Sequence, residues 1–198
     1  MTSVFIVRHG NTFAPGEPSR RIGRRTDLPL VPSGIEQAAA LGRWFAGRQL
    51  GFSRVLAGPL TRTHQTAAVI LQTMAHSVAI EPADWLMEVD HGPDEGETDA
   101  AVLDRVGAAA LLAWDRDATP PPGWIVDADR RLHEWHALLA ADREGDTLVV
   151  TSNGSARFAL LALPDRPPEG ALRLRTGACG QIGVGDGDPR LLAWDLRP

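Results

Sequence analysis

The chain has 198 residues, 43% hydrophobic and 23% charged; this is the composition of a globular protein long enough to bury a sizeable core as one domain. Its net charge of −5 argues against a nucleic-acid partner, whose usual footprint is a basic surface. All 20 basic residues are Arg, which closes off Lys-based chemistry, and a single cysteine, Cys179, excludes an internal disulfide framework.

Val4-Phe5-Ile6-Val7 is an apolar run of one buried strand's length. It delivers Arg8-His9-Gly10-Asn11-Thr12: a planar donor fork suited to phosphate, an imidazole able to act as a nucleophile, and a glycine that lets the backbone approach a ligand. Residues 13–32, rich in Pro, Gly and Arg, read as a loop. Arg20, Arg21, Arg24 and Arg25 form a basic island in it, which either recruits an anion or is simply solvated. Pro32 opens a helix that runs to about Arg48, with Ser33 and Glu36 at capping-box spacing. Residues 54–57 are a second strand, and Gly58-Pro59 leads into a helix from Leu60 to about Met74.

Residues 78–80 read as a short strand, and 82–97 as an irregular, acidic stretch. A helix is expected from Asp99 to Trp114, with Val102, Val106, Ala109, Ala110 and Ala113 on one side. Pro120-Pro121-Pro122-Gly123 is an internal loop, followed by a helix from Asp127 to about Asp142. Residues 147–151 are the best central strand; Ser152-Asn153-Gly154-Ser155 then turns into a helix ending near Leu163. Residues 172–174, 181–184 and 191–194 are further strands. The alternation indicates an α/β sandwich over a mostly parallel sheet.

If the strands ending at Arg8, Ala57 and Thr151 are parallel neighbours, then Arg8, His9, Arg62 and Asn153 share one rim of the sheet. Ligands bind at that rim in open α/β sheets, and two helix N-termini there favour an anion. Two Arg, one His and two helix ends describe a pocket for a dianion, most simply a phosphoryl group.

Longer motifs point the same way. Gly23-Arg24-Arg25-Thr26-Asp27-Leu28-Pro29-Leu30, Gly34 with Gln37-Ala38, and above all Gly58-Pro59-Leu60-Thr61-Arg62-Thr63-His64-Gln65-Thr66-Ala67 resemble segments of the histidine phosphatase superfamily, which includes the phosphoglycerate mutases. So do Arg8-His9-Gly10, the acidic stretch around Glu88, and residues 148–160. The resemblance spans most of the chain. It implies a three-layer α/β/α sandwich, phosphoglycerate mutase-like, with His9 as nucleophile, Arg8 and Arg62 binding the phosphoryl group, and Glu88 as general acid. Glu95 is the alternative acid. The family's second active-site His falls on Asn153, whose amide can still donate a hydrogen bond but cannot hold a proton or charge near neutral pH. Pro15 stands about where the mutases have a pocket Asn, a role left to Asn11 or Thr12; Gly154 adds a backbone N–H.

The expected activity is metal-independent hydrolysis of a small phosphate monoester, with no cofactor and a phosphorylated small molecule as partner. A phospho-ligand-binding protein with little turnover is the alternative, and a mutase is less favoured because the chain is short for that branch. His133 and His136 sit one helical turn apart but lack a third ligand and read as a solvated face. His64 and His91 read as edge residues of the site. No segment approaches the ~20 apolar residues of a membrane span and no signal-like leader opens the chain, so a cytoplasmic protein is expected. Nothing in the sequence sets an oligomeric state.

Overall fold

The computed structural model describes residues 2–142, 144–165, 172–185 and 187–198. Six strands form one sheet: β1 (Thr2–Arg8), β2 (Phe52–Ala57), β3 (Ile80–Pro82), β4 (Asp146–Thr151), β5 (Cys179–Gly185) and β6 (Gly187–Leu196). Their order is β3-β2-β4-β1-β5-β6. The first four run parallel, while β5 is antiparallel to β1 and β6 to β5.

The central strands β1 and β4 are apolar along their length because both faces are covered. Side chains alternate between faces. Phe5, Val7, Leu148 and Val150 face α1 (Pro32–Gly47) and α2 (Thr61–Thr73), meeting Leu41, Phe45 and Ile70. Val4, Ile6 and Val149 face the other way, into a core with Trp135 of α4 (Ala128–Ala140) and Phe158 of α5 (Asn153–Leu161). Helices on both faces of the sheet give the three-layer α/β/α architecture. Arg8 pairs with Thr151, and Ala57 with Val150. The ends of β1, β4 and β2 are therefore flush and adjacent, as the convergence argument requires.

Several local expectations shift. The capping box at α1 does not form. Pro32 takes the first helical position, the N-cap is Val31, and no side chain caps it. Ser33 Oγ instead accepts from Asn11 Nδ2 (3.4 Å), and Glu36 pairs with Arg43. The third strand lies two residues later than expected, at Ile80–Pro82, where its register is set by pairing with Val55–Ala57. Residues 172–174 are not a strand; this stretch leads irregularly into β5. The helix expected from Asp99 runs to Asp117 (α3), but Gly107 breaks it with φ +79°. The break resets the phase of the apolar stripe. Ala109 is exposed, and Val102 and Trp114 are the buried residues of α3.

One contact positions the site loop. A Cβ on Gly34 would lie 2.2 Å from the Asn11 carbonyl oxygen, and one on Gly10 2.3 Å from that of Gly34. Backbone thus rests on backbone between the His9 loop and the first turn of α1, and the Val31 N–H donates to the Asn11 carbonyl (3.1 Å). We predict that Gly34→Ala, which must displace this loop, costs about 1–3 kcal/mol as overpacked sites do. A shift in the denaturant midpoint with the slope unchanged is the readout.

Candidate active site

The C-terminal end of β1 and the turn that follows β4 open into a cavity of about 720 Å³. Arg8, His9, Asn11, Thr12, Glu88, His91, Asn153 and Gly154 all line it.

His9 follows β1 directly and is 3% exposed. Its backbone N–H donates to the Thr151 carbonyl (3.0 Å), which ties it to β4. Its ring Nδ1 lies 2.8 Å from the Gly10 carbonyl. A carbonyl only accepts, so Nδ1 bears the hydrogen and Nε2 is left with its lone pair. Burial, reinforced by the positive charges of Arg8 and Arg62, holds the imidazole well below its usual pKa of 6.5. His9 is therefore neutral at pH 7, the form required of a nucleophile.

Arg8 donates from Nη1 to the Leu174 carbonyl (2.9 Å), and its Nε is buried without a partner among the described residues. Burial lowers its pKa to about 10, Glu88 partly opposes the shift, and Arg173 adds to it; it remains a cation. Arg62, in the first turn of α2, is fully buried. It donates from Nη1 to the Thr26 carbonyl (2.6 Å) and from Nη2 to the Gly23 carbonyl (3.1 Å), again leaving Nε without a partner. It is not among the residues that line the cavity, although its charge acts on His9. Thr66 links it to the nucleophile: its hydroxyl donates to the Arg62 carbonyl (2.7 Å) and accepts the Gly10 N–H (3.1 Å).

Glu88 is 7% exposed. Burial alone would raise its pKa. Opposing it are His91, the Val89 N–H (2.9 Å), Arg62 and the Gly154 N–H (3.3 Å), and the net shift is downward. Gly154 leaves room for this carboxylate: a Cβ on it would lie 2.0 Å from Glu88 Oε1, so any side chain there would displace Glu88. The amide expected to meet phosphate thus holds the carboxylate instead. Glu95 does not line the cavity. It accepts from the Arg25 N–H and the Thr26 hydroxyl, both at 2.8 Å, and so fixes the loop whose carbonyls orient Arg62.

Asn153 Oδ1 accepts the Leu174 N–H (2.9 Å), which orients its Nδ2 donor away from that bond. Asn11 has both amide ends committed, Oδ1 to the Thr176 hydroxyl (2.6 Å) and Nδ2 to Ser33, so it acts as a brace on the cavity wall. His91 is buried against the Trp124 ring, with its Nδ1 unpartnered among the described residues, and burial lowers its pKa. His64 is exposed and lies outside the cavity lining. Sequence reasoning did not single out Trp114, Leu174 or Arg173, which reach the cavity or its braces only through tertiary contacts.

The His9 geometry makes a pH prediction. Its folded pKa lies below the unfolded value of about 6.5, so the unfolded state binds more protons below that pH and His9 contributes a loss of stability as pH falls. We predict that ¹⁵N spectra keep His9 as the neutral Nδ1–H tautomer between about pH 7.5 and about pH 5.5, spanning its unperturbed pKa. Titration of the ring near 6.5 would contradict the assignment.

Residues 4–196 match the family model described as the histidine phosphatase superfamily, branch 1. The chain is 28% identical over 183 residues to a probable phosphoglycerate mutase, GpmB, of Salmonella arizonae, covering 90% of this chain and 82% of that protein. It is 37% identical over 161 residues to the fructose-2,6-bisphosphatase TIGAR B of Danio rerio, covering 73% of this chain and 61% of that one. The fold matches the mycobacterial glucosyl-3-phosphoglycerate phosphatase with a TM-score of 0.80 at 23% identity, over 100% of both chains. An α-ribazole-5'-P phosphatase structure from Escherichia coli matches with a TM-score of 0.76 at 23% identity, over 99% and 97%. With these matches added to the strand-end geometry, the chain belongs to branch 1 of the histidine phosphatase superfamily.

Proposed function

We propose that this protein hydrolyses a small phosphate monoester through a phosphohistidine on His9. The observation that carries the reading is the state of His9: a neutral imidazole, its Nδ1–H bonded to Gly10, beside two guanidiniums whose Nε–H groups have no partner among the described residues. A phosphoryl group in the cavity accepts from Arg8 and from Asn153 Nδ2, while Arg62 adds positive charge near His9. Preorganised donors of this kind act where charge develops in the transition state.

His9 Nε2 attacks phosphorus, a P–N bond forms as the P–O bond breaks, and the leaving oxygen takes a proton from Glu88. Water then attacks the phosphohistidine, Glu88 takes its proton, and the P–N bond breaks to give inorganic phosphate and free His9. Glu88 is ionised in the free protein. An incoming phosphate dianion faces it with like charge, which raises its pKa, so that Glu88 takes up from solvent the proton it delivers; the proton it later takes from water returns to solvent as phosphate leaves. No step uses a metal ion, and among the described residues no group of three His, Cys, Asp or Glu could hold one. Among the described residues no helix is long and apolar enough to cross a membrane. A cytoplasmic location is a separate part of the proposal.

The test is a panel of phosphate esters graded by leaving group. His9→Ala is expected to abolish turnover. Glu88→Gln is expected to slow alkyl phosphates by about 10²–10⁴, the range of a general acid's contribution, and to slow activated aryl phosphates far less. Equal slowing of both classes would contradict Glu88 as the acid. Turnover surviving in His9→Ala would contradict the intermediate.

A further inference from the structure

The mechanism leaves one titratable group of the cavity unused. His9 and His91 are the two imidazoles on its lining among the described residues, and His9 is the nucleophile. Glu88 must gain and lose a proton in each turnover from a buried position. The Val89 N–H holds its Oε1 and the Gly154 N–H its Oε2, and an ester in the cavity displaces water from its open side. Free hydronium is a poor source for it. At pH 7 hydronium is on the order of 10⁻⁷ M, so a diffusion limit of ~10⁹–10¹⁰ M⁻¹ s⁻¹ delivers it only ~10²–10³ times per second to an open site.

His91 is held in place from both sides. Asp90 and Ile125 exchange N–H···O bonds of 3.2 and 2.9 Å, and a Cβ on Gly92 would lie 2.0 Å from the Gly123 carbonyl oxygen. The ring packs edge-on against Trp124 with centroids 4.4 Å apart, and Trp124 is fixed in turn by its Nε1–H donating to Asp94 (2.6 Å). Nδ1 is buried without a partner among the described residues, so Nε2 is the ring nitrogen toward the cavity. Glu95 Oε2 is a second buried atom without a hydrogen-bond partner among them. A Cβ on Gly23 would lie 2.9 Å from His91 Nδ1 and 2.5 Å from Glu95 Oε2, so both atoms face one point. The carboxylate only accepts. A hydrogen on Nδ1, aimed at it directly or through one water, satisfies both groups. That tautomer leaves the Nε2 lone pair free to take a proton.

Burial lowers the pKa of His91. Glu88 is the charge that opposes this most, Arg21 adds to the lowering, and Glu95 and Asp94 oppose it. Asp94 is itself tied to Arg105, and Asp90 lies 3.1 Å from Arg25. In return, His91 is the charged group that acts most strongly on Glu88. The ring is neutral in the free site at pH 7. A phosphate dianion beside it raises its pKa toward neutrality, where a proton-transfer group works best.

We infer that His91 acts through Glu88, as the positioning residue that carries protons between the cavity solvent and the buried carboxyl group. Nε2 takes a proton from water or a buffer acid. The new N–H bond then breaks as a Glu88 O–H bond forms, and the ring returns to neutral with its Nδ1–H in place. After water has attacked the phosphohistidine, the same two transfers run in reverse. The inference rests on the reading of Glu88 as the acid of a phosphate-ester site.

It is tested on glycerol 2-phosphate with His91→Phe, which keeps a ring against Trp124, and His91→Gln, which keeps a polar group. Circular dichroism checks folding, and either folded variant decides the result. Near pH 7, kcat is expected to fall by about tenfold or more, within the range of proton-transfer contributions, with KM little changed. Added imidazole, at constant pH and ionic strength, is expected to restore kcat in the variants and to leave the wild type unaffected. Adding His91→Phe to Glu88→Gln is expected to slow that variant by less than about twofold further, because residues acting as one unit are not additive. Wild-type kcat in the variants, a loss that imidazole does not relieve, or the full loss repeated in the Glu88→Gln background would overturn the relay alone. No turnover by the wild type would overturn the phosphatase reading and the relay with it.

Discussion

The site depends on two buried guanidiniums that are oriented by carbonyl oxygens and left unneutralised by carboxylates. Arg8 is held by the Leu174 carbonyl, Arg62 by those of Gly23 and Thr26. A neutral acceptor fixes direction without cancelling charge. Burying an ion without a directly paired counter-ion costs several kcal/mol. Glu88 is the carboxylate that both cations feel, and it lines the same cavity. Positive potential is therefore concentrated where His9 presents its free nitrogen.

The acidic residues around the site have been given to backbone instead. Glu95 holds the amide of Arg25 and the hydroxyl of Thr26; Asp27 accepts the Thr61 N–H at 2.7 Å and its hydroxyl at 2.8 Å at the start of α2. Both carboxylates secure the loop whose carbonyls aim Arg62. This division of labour explains how a chain of net charge −5 keeps a pocket suited to anions. The negative charges stabilise the scaffold at short range, and the positive ones face the cavity.

Much of this was legible in the sequence because its signals are local. The runs at 4–7 and 147–151 are long enough for buried strands, and the residues that follow each lie at a strand-to-helix junction, so rim placement follows from chain connectivity. Arg8, His9 and Asn153 could be placed that way. What could not be read depends on contacts between distant segments. The α1 capping box failed because the helix starts at Pro32 with Val31 as its N-cap, which puts Ser33 inside the first turn. Residues 172–174 look like a strand by composition, yet Leu174 spends its peptide groups on Asn153 and Arg8. Gly154 is at a helix N-terminus, and proximity to Glu88, not phosphate, decides where its N–H points. Gly107 breaks a helix whose residue preferences are otherwise continuous.

The most direct test of the charge arrangement is a crystal structure with vanadate, which takes the geometry of a transferring phosphoryl group. The account predicts vanadium bonded to His9 Nε2, with its equatorial oxygens accepting from Arg8 and Asn153, Arg62 still bound to the Gly23 and Thr26 carbonyls, and Glu88 at the apical oxygen opposite His9. Vanadate bound elsewhere in the cavity, or coordinated with His9 turned away and Arg8 disengaged, would contradict it.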